Sequence, residues 1–502
     1  MDSVKNSNSF GQSNTAQAFW VAAGSLSSFA LAMVSAAVLS RYFDKTEYGT
    51  YRQILYIYSS LLIIFSAGLP RVFAYFLPRH TIEEGKYIVK QITQVLFLAG
   101  MLFSAFLFFG SGLIAQFLNN EELEYGLRIF SPIPMLLLPT LGIEGIFSTY
   151  KKSMYIAIYN TVSRLIMLAF ILVPVLYFGG TYIYAIYGWL AASVLMLFMA
   201  LWFKNIPFKG IVSQSSSLTY KEIFGYSLPL VFASIWGIAI KTADEFYISR
   251  YFGADTFAEF SNGFTELPFV TMITASTSVV LMPLFSKLFK EGGKIEELIT
   301  TWRSALKKSA ILIYPLVIYF LVFSTDIMVF LYSDKYEVSG SYFKIKLLFN
   351  FFNIVVFAPL FLANGKTKLY AYVHMYLAIF LWASDYALIL LFDSPYAIAI
   401  NSIFLAVAKI LIFVYLSARF IKVPVLRFFP LKTLVKLLIH GSIIIALVKL
   451  FDIYIYHVDI LLLHLTITFS LFSLLLVISA RFFRLNYLEI FIPFINKVIK
   501  KK

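Results

Sequence analysis

Runs of Phe, Leu, Ile and Val, separated by short polar turns, fill the chain from residue 19 to residue 480. A membrane-spanning helix needs roughly 20 apolar residues, and about fourteen runs reach that length. They cover 19–40, 51–69, 91–117, 127–149, 154–178, 181–203 and 225–249 in the first half of the chain. In the second half they cover 262–286, 309–333, 343–363, 369–392, 395–417, 433–451 and 459–480. The period-two alternation of a transmembrane barrel strand is missing from them. The pattern predicts an all-α integral membrane protein.

One segment occurs twice. LSRYFDKTEYGTY at 39–51 and ISRYFGADTFAEF at 248–260 share Ser40/Ser249, Arg41/Arg250, Tyr42/Tyr251 and Phe43/Phe252 at a constant offset of 209. The copies close spans 1 and 7, both odd-numbered, so they lie on the same side of the membrane as a parallel repeat. STYKKSMY between spans 4 and 5, and LANGKTKLY between spans 10 and 11, form a weaker second echo. The expected organisation is a tail (1–18), a first six-helix lobe (19–203), a cytoplasmic linker (204–224) and a second six-helix lobe (225–417). Two additional helices (418–480) and a basic amphipathic tail (481–502) that lies along the inner leaflet complete it.

Composition agrees. Hydrophobic residues make up 60% of the chain and charged ones 13%, against about 25% charged in soluble domains. The net charge of +15 is laid out by topology rather than gathered for nucleic acid. With the N-terminus inside, inside loops hold about three times as many Lys and Arg as outside loops and span ends, as the positive-inside rule requires. Both termini are then cytoplasmic and the protein sits in the inner (plasma) membrane. No cleavable signal peptide stands out, and the absence of cysteine excludes disulfides and thiolate metal sites.

Charges inside spans are costly, about 2.5–3.5 kcal/mol each at the bilayer centre, so they mark candidate sites. Arg164 lies near the midplane of span 5, with Asn160 as its only local polar neighbour. Span 7 carries Lys241, Asp244 and Glu245; Asp385 lies in span 11 and Lys409 in span 12. Ser227, Ser234, Gly237, Lys241 and Asp244 share one helical face. Subtracting 209 gives Ser25, Ser28, Ala32 and Ser35 in span 1, a matching small and polar stripe. Two readings stand side by side. Arg164, Lys241 and Lys409 receive an anionic substrate in a cavity while Asp244, Glu245 and Asp385 take protons or sodium; or Lys241 only pairs with Asp244 or Glu245 along its own helix. Glu144 and Glu266 sit near helix ends, where they can snorkel, and are set aside.

Enzyme chemistry finds no place. The GKT at 365–367 lacks the earlier P-loop glycine, since Leu360 occupies that position. The five histidines are scattered without metal-ligand spacing, and no cofactor or metal is expected. No soluble segment is long enough to carry the sugar-binding active site of a membrane glycosyltransferase.

The segments LSRYFDKTEYGTYRQ and GLPRVFAYFLPR, with SLPLVFASIWGIAIKTADEFYISRYFGADTFAEF and LMPLFSKL in the second half, resemble the polysaccharide (O-antigen type) flippases. These belong to the multidrug/oligosaccharidyl-lipid/polysaccharide exporter superfamily. The resemblance implies two lobes around a central cavity and alternating access. It also implies a polyprenyl-pyrophosphate-linked oligosaccharide as cargo, held by cavity cations for cell-surface polysaccharide synthesis. Membrane lipids and a polymerase or glycosyltransferase complex are the partners it suggests. Arg41, Gly49 and Arg250 match the family segment as fold markers. The extra helix pair is similar to that of the lipid II flippases, but span 1 lacks their basic residues. The drug exporters typically carry an acidic residue in the first lobe, where this chain has only Glu144. A lipid II-type flippase, a multidrug exporter and a non-transporting scaffold of an assembly complex are the alternatives.

Overall fold

A computed structural model describes residues 14–290, 295–354, 357–455 and 458–490. The stretch 491–502, most of the expected amphipathic tail, lies outside the described residues. Among the described residues every regular element is helical. The first helices are α1 (Asn14–Tyr42), α2 (Lys45–Phe65), α3 (Leu69–Phe76), α4 (Ile82–Phe117), α5 (Glu122–Phe130) and α6 (Ile133–Leu137). Then come α7 (Ile143–Thr149), α8 (Met154–Phe178), α9 (Tyr182–Asn205) and α10 (Tyr220–Gly263). The remainder are α11 (Pro268–Lys290), α12 (Ile295–Val322), α13 (Ser324–Tyr332), α14 (Ser339–Phe349) and α15 (Ala358–Ala363). The chain closes with α16 (Thr367–Phe392), α17 (Pro395–Ile421), α18 (Leu431–Tyr454) and α19 (Leu461–Ser479).

Eleven helical stretches of the described residues are long and apolar enough to cross a membrane, and thirteen if each of two bent pairs counts as one span. Each of these thirteen overlaps an expected span, the ninth with a shift, since the helix runs Ile295–Val322 where 309–333 was expected. The expected span they leave out is the tenth, 343–363: α14 stops at Phe349 and α15 resumes only at Ala358. Asn350 and Asn353 interrupt the apolar run, and Pro359 starts the next helix without an N–H to continue a ladder. Tyr314 of α12 donates to the Phe351 carbonyl at 2.9 Å, satisfying an acceptor that the broken helix leaves open.

Each bent pair has a local cause. Span 2 turns by 43° between α2 and α3, where Ala67 (φ 49°) and Gly68 (φ 67°) are left-handed. Only glycine fits at 68: an added Cβ would lie 2.9 Å from the Ser227 carbonyl oxygen of α10. α10 bends by 43° near Phe232, just after Pro229 removes a helical hydrogen bond.

The chain forms two compact units, 1–258 and 259–502. Compactness and the sequence repeat therefore divide it at different places, since most of α10 packs with the first unit. In that unit Leu69, Val72 and Phe73 of α3 join Ile88 and Ile92 of α4, Phe208, Leu218 and Ile223 in one core. The linker is pinned there: Lys86 donates to the Ile211 carbonyl at 2.7 Å. In the second unit Ile318, Tyr319 and Phe323 of α12 and its end pack with Ile444 and Val448 of α18 and Phe472 of α19. Phe109 of α4, by contrast, is 82% exposed, as a lipid-facing side chain must be.

The two copies of the repeated segment dock on each other. Both break their helix at the same register. In the first, Asp44 caps α2 by accepting from the Glu47 N–H at 2.8 Å; in the second, the equivalent Gly253 takes φ 79°. Thr46 Oγ1 then donates to Asp255 Oδ1 at 2.6 Å, and these two residues are themselves 209 apart. Around this pair, Gln53 Nε2 donates to Ser249 Oγ at 2.8 Å, and Gly49 lies flat against the Ala254 backbone. Asn120 donates to Gln53 Oε1 at 2.6 Å. Arg250 places its guanidinium 4.8 Å from the Phe117 ring and donates to the Phe117 carbonyl at the end of α4.

Candidate functional site

Arg164 is the centre of the site. It sits on α8, which packs along α1: Ser27 Oγ lies 2.7 Å from Thr161 Oγ1, and Ser28 Oγ donates to the Asn160 carbonyl at 3.4 Å. This packing aims the α1 stripe at two cavities in the first unit. Ser25, Ser28 and Ala32 line a chamber of about 620 Å³, and Ala32 and Ser35 line a narrower cavity of about 150 Å³. Ala32, Arg164, Met167 and Trp189 line both, and so form the junction.

The junction offers donors without acceptors. The Arg164 side chain is exposed; its one polar contact is the Met167 sulfur, 3.9 Å from a guanidinium nitrogen. Among the described residues no carboxylate pairs with it. The Trp189 indole N–H is buried and has no acceptor there either. Buried donors are normally satisfied; here an open guanidinium and an N–H without an acceptor line the same space, a donor-rich chemistry that can receive an acceptor or anionic group. The narrow cavity adds a second cation, Arg52 of α2, with Tyr48 and Tyr51.

Sequence reasoning misses Arg52, which stands at the start of the second apolar run. One signal was available: the repeat places Ser261 at its equivalent position, so this cation exists in one copy only. Glu144 had been set aside as a snorkelling residue. It lies instead in the first turn of α7, after a break at Gly142 (φ 91°), and lines the larger chamber. There its Oε1 accepts from Asn160 Nδ2 at 3.4 Å. Lys204, expected in a loop, is buried at 2% exposure within α9. Its ammonium donates to the Pro139 carbonyl at 2.7 Å and to Thr93 at 3.1 Å, pinning the broken fourth span to α4.

Within the first unit, Lys241, Asp244 and Glu245 line neither of these two cavities. Lys241 is exposed and, among the described residues, makes no ion pair, so the pairing with Asp244 or Glu245 along its own helix is not made. Its helical face changes character along α10: Ser227 and Asp244 are buried, while Gly237 faces open space and Lys241 is exposed. Glu245 is half-buried, one turn from the site where Tyr56 donates to the Thr242 carbonyl at 3.2 Å. Asp385 and Lys409 belong to the second unit. Asp385 is fully buried and accepts from Asn401 Nδ2 at 2.7 Å. Lys409 is within Coulombic range of Lys346 and Glu266, which pair with each other at 3.9 Å.

The model of the polysaccharide biosynthesis protein family matches residues 38–340, more than half of the chain. The chain belongs to that family. No curated protein matches it in sequence. Among solved structures, the lipid II flippase MurJ in an inward closed conformation is similar over 92% of this chain and 99% of its own, with a TM-score of 0.65 at 15% identity. An inward-facing multidrug resistance MATE family transporter of the MOP superfamily is similar over 78% of this chain and 94% of its own (TM-score 0.61, 12% identity). A MOP superfamily transporter from Pyrococcus furiosus is similar over 81% and 95% (TM-score 0.57, 11% identity). At such identities the likeness is one of fold. This member of the polysaccharide biosynthesis family is a multi-pass membrane protein built on the fold of these flippases and transporters.

Proposed function

We propose that the protein flips a polyprenyl-pyrophosphate-linked oligosaccharide from the cytoplasmic to the outer leaflet by alternating access. The observation that carries this reading is the Arg164–Trp189 junction. It presents an unpaired guanidinium and an unsatisfied indole N–H to two open cavities in a protein of polysaccharide biosynthesis. A pyrophosphate is the part of such a cargo that needs fixed donors, and arginine binds phosphate oxygens in pairs. The polyprenyl tail stays in lipid while the polar head crosses.

In this reading Arg164 and Arg52 hold the pyrophosphate. Lys241, exposed and unpaired, and Lys409 are further cations met by the head as it moves. Asp244, Glu245 and Asp385 are the carboxylates that couple transport to protons or sodium. With both termini cytoplasmic, the docked repeat copies close the outer end, and outward opening requires them to part. A lipid II-type cargo is a second reading, favoured by coverage: the likeness to MurJ extends over 92% of this chain, against 78% for the multidrug transporter.

The direct test is equilibrium binding of a short-chain polyprenyl pyrophosphate to the detergent-solubilised protein. Wild type should bind in preference to the corresponding alcohol, Arg164→Ala should lose at least about tenfold in affinity, and Arg164→Lys should recover part of it. Equal affinity for pyrophosphate and alcohol would remove the reading.

A further inference from the structure

The two cavities differ in size and chemistry, and the difference assigns a direction to the cargo. The narrow one, about 150 Å³, has room for a phosphate group but not for a sugar chain; its lining includes Arg52 and Arg164. The chamber of about 620 Å³ falls in the range of small-molecule pockets. It carries the opposite chemistry: Glu144, Asn160, Ser25 and Ser28 supply acceptors and hydroxyls, and Trp189 and Tyr58 supply aromatic rings. Asn160 precedes Arg164 by four residues on α8, about 6 Å along the axis. Acceptors therefore lie toward the start of α8 and cations beyond them, with Arg164 where the two spaces meet.

We propose that the wide chamber is a sugar subsite in which Glu144 and Asn160 bind the first sugar of the cargo and select against acidic sugars. This rests on the flippase reading above and adds to it a substrate class: a lipid-linked glycan whose first residue is a neutral or N-acetylated hexose. The bond between sugar and pyrophosphate falls at Arg164. The pyrophosphate then occupies the narrow cavity while the glycan trails toward the start of α8. Glu144 is exposed, lines the chamber and, among the described residues, has only the long contact from Asn160, so its carboxylate keeps lone pairs for sugar hydroxyls or an acetamido N–H. A hexuronic acid in the same place would bring a second carboxylate beside the first. Specificity of this kind is repulsion built against the wrong partner.

The test is competition in proteoliposomes between two probes: polyprenyl pyrophosphate carrying one N-acetylhexosamine, and the same lipid carrying one hexuronic acid. Wild type should move the neutral probe at least about tenfold faster. Glu144→Gln, isosteric and uncharged, should narrow that ratio to within about twofold, and Asn160→Ala should slow the neutral probe. If wild type moves both probes equally, or Glu144→Gln, Glu144→Ala and Asn160→Ala all keep the wild-type ratio, the subsite is wrong. Loss of both probes in Arg164→Ala would then show that the flippase reading survives without it. Movement of neither probe by wild type would overturn the flippase reading as well, whereas full activity in Arg164→Ala would leave a flippase and remove Arg164 as the holder of its pyrophosphate.

Discussion

Gly49 lies where the two repeat copies touch. A Cβ there would stand 2.0 Å from the Ala254 carbonyl oxygen and 2.5 Å from its carbon. Both are backbone atoms in the turn that Thr46 and Asp255 hold together at 2.6 Å, so no side chain can swing away. The helices must separate by about 1 Å, and overpacking of this kind costs about 1–3 kcal/mol. If the docked state is one end of the transport cycle, Gly49→Ala shifts that equilibrium toward the parted state by about 5- to 150-fold. The sequence contains no cysteine, so Thr46→Cys/Asp255→Cys gives a clean reporter for a short bifunctional thiol reagent. Rapid cross-linking is expected in the otherwise wild-type chain, with transport stopping until the bridge is reduced. Adding Gly49→Ala should slow cross-linking at least about fivefold while leaving thiol labelling intact. Cross-linking unchanged by Gly49→Ala, or a bridged protein that still transports, would refute the assignment of this contact to a closing gate.

Three other outcomes follow from side-chain environments. Arg164→Ala should cut flipping by at least about tenfold with no loss of thermal stability, because the guanidinium has no protein ion pair to lose; detergent melting curves and flipping rates separate the two effects. Lys241→Gln should likewise leave the melting temperature within about 1 °C, since a surface charge without a partner contributes little, while slowing headgroup transfer. Asp385→Leu removes the acceptor to which the Asn401 amide now donates at 2.7 Å in a buried site. That should destabilise the protein by about 1–3 kcal/mol in thermal or denaturant unfolding, whatever its effect on transport.

Hydropathy located thirteen of the spans because apolar length alone decides whether a helix can cross a membrane. It overran the tenth because averaging over Phe351 and Phe352 concealed Asn350 and Asn353, whose backbone turns are stabilised locally. The offset of 209 revealed a duplicated module and a common register of helix breaks at Asp44 and Gly253. It could not reveal that the copies pack on each other, since a repeat in sequence carries no information on which surfaces of its copies meet. Depth in its span singled out Arg164, which lines both cavities of the first unit. Glu144 was not legible, because the left-handed break at Gly142 starts a new short helix and turns a residue counted as terminal into one that lines a chamber. The alternative in which Lys241 only pairs along its own helix is not what the side chains do, because helical spacing puts them within reach of each other without obliging an exposed lysine to fold back.

The central claim is that this protein moves a lipid-linked pyrophosphate sugar past Arg164. Purified protein in liposomes loaded with a fluorescent lipid-linked oligosaccharide tests it most directly, through the rate at which the headgroup becomes accessible to an external quencher. The account predicts rapid, protein-dependent exposure by wild type, at least about tenfold slower in Arg164→Ala and partly restored in Arg164→Lys. Equal rates for wild type and a well-folded Arg164→Ala, or no exposure above protein-free liposomes, would contradict it.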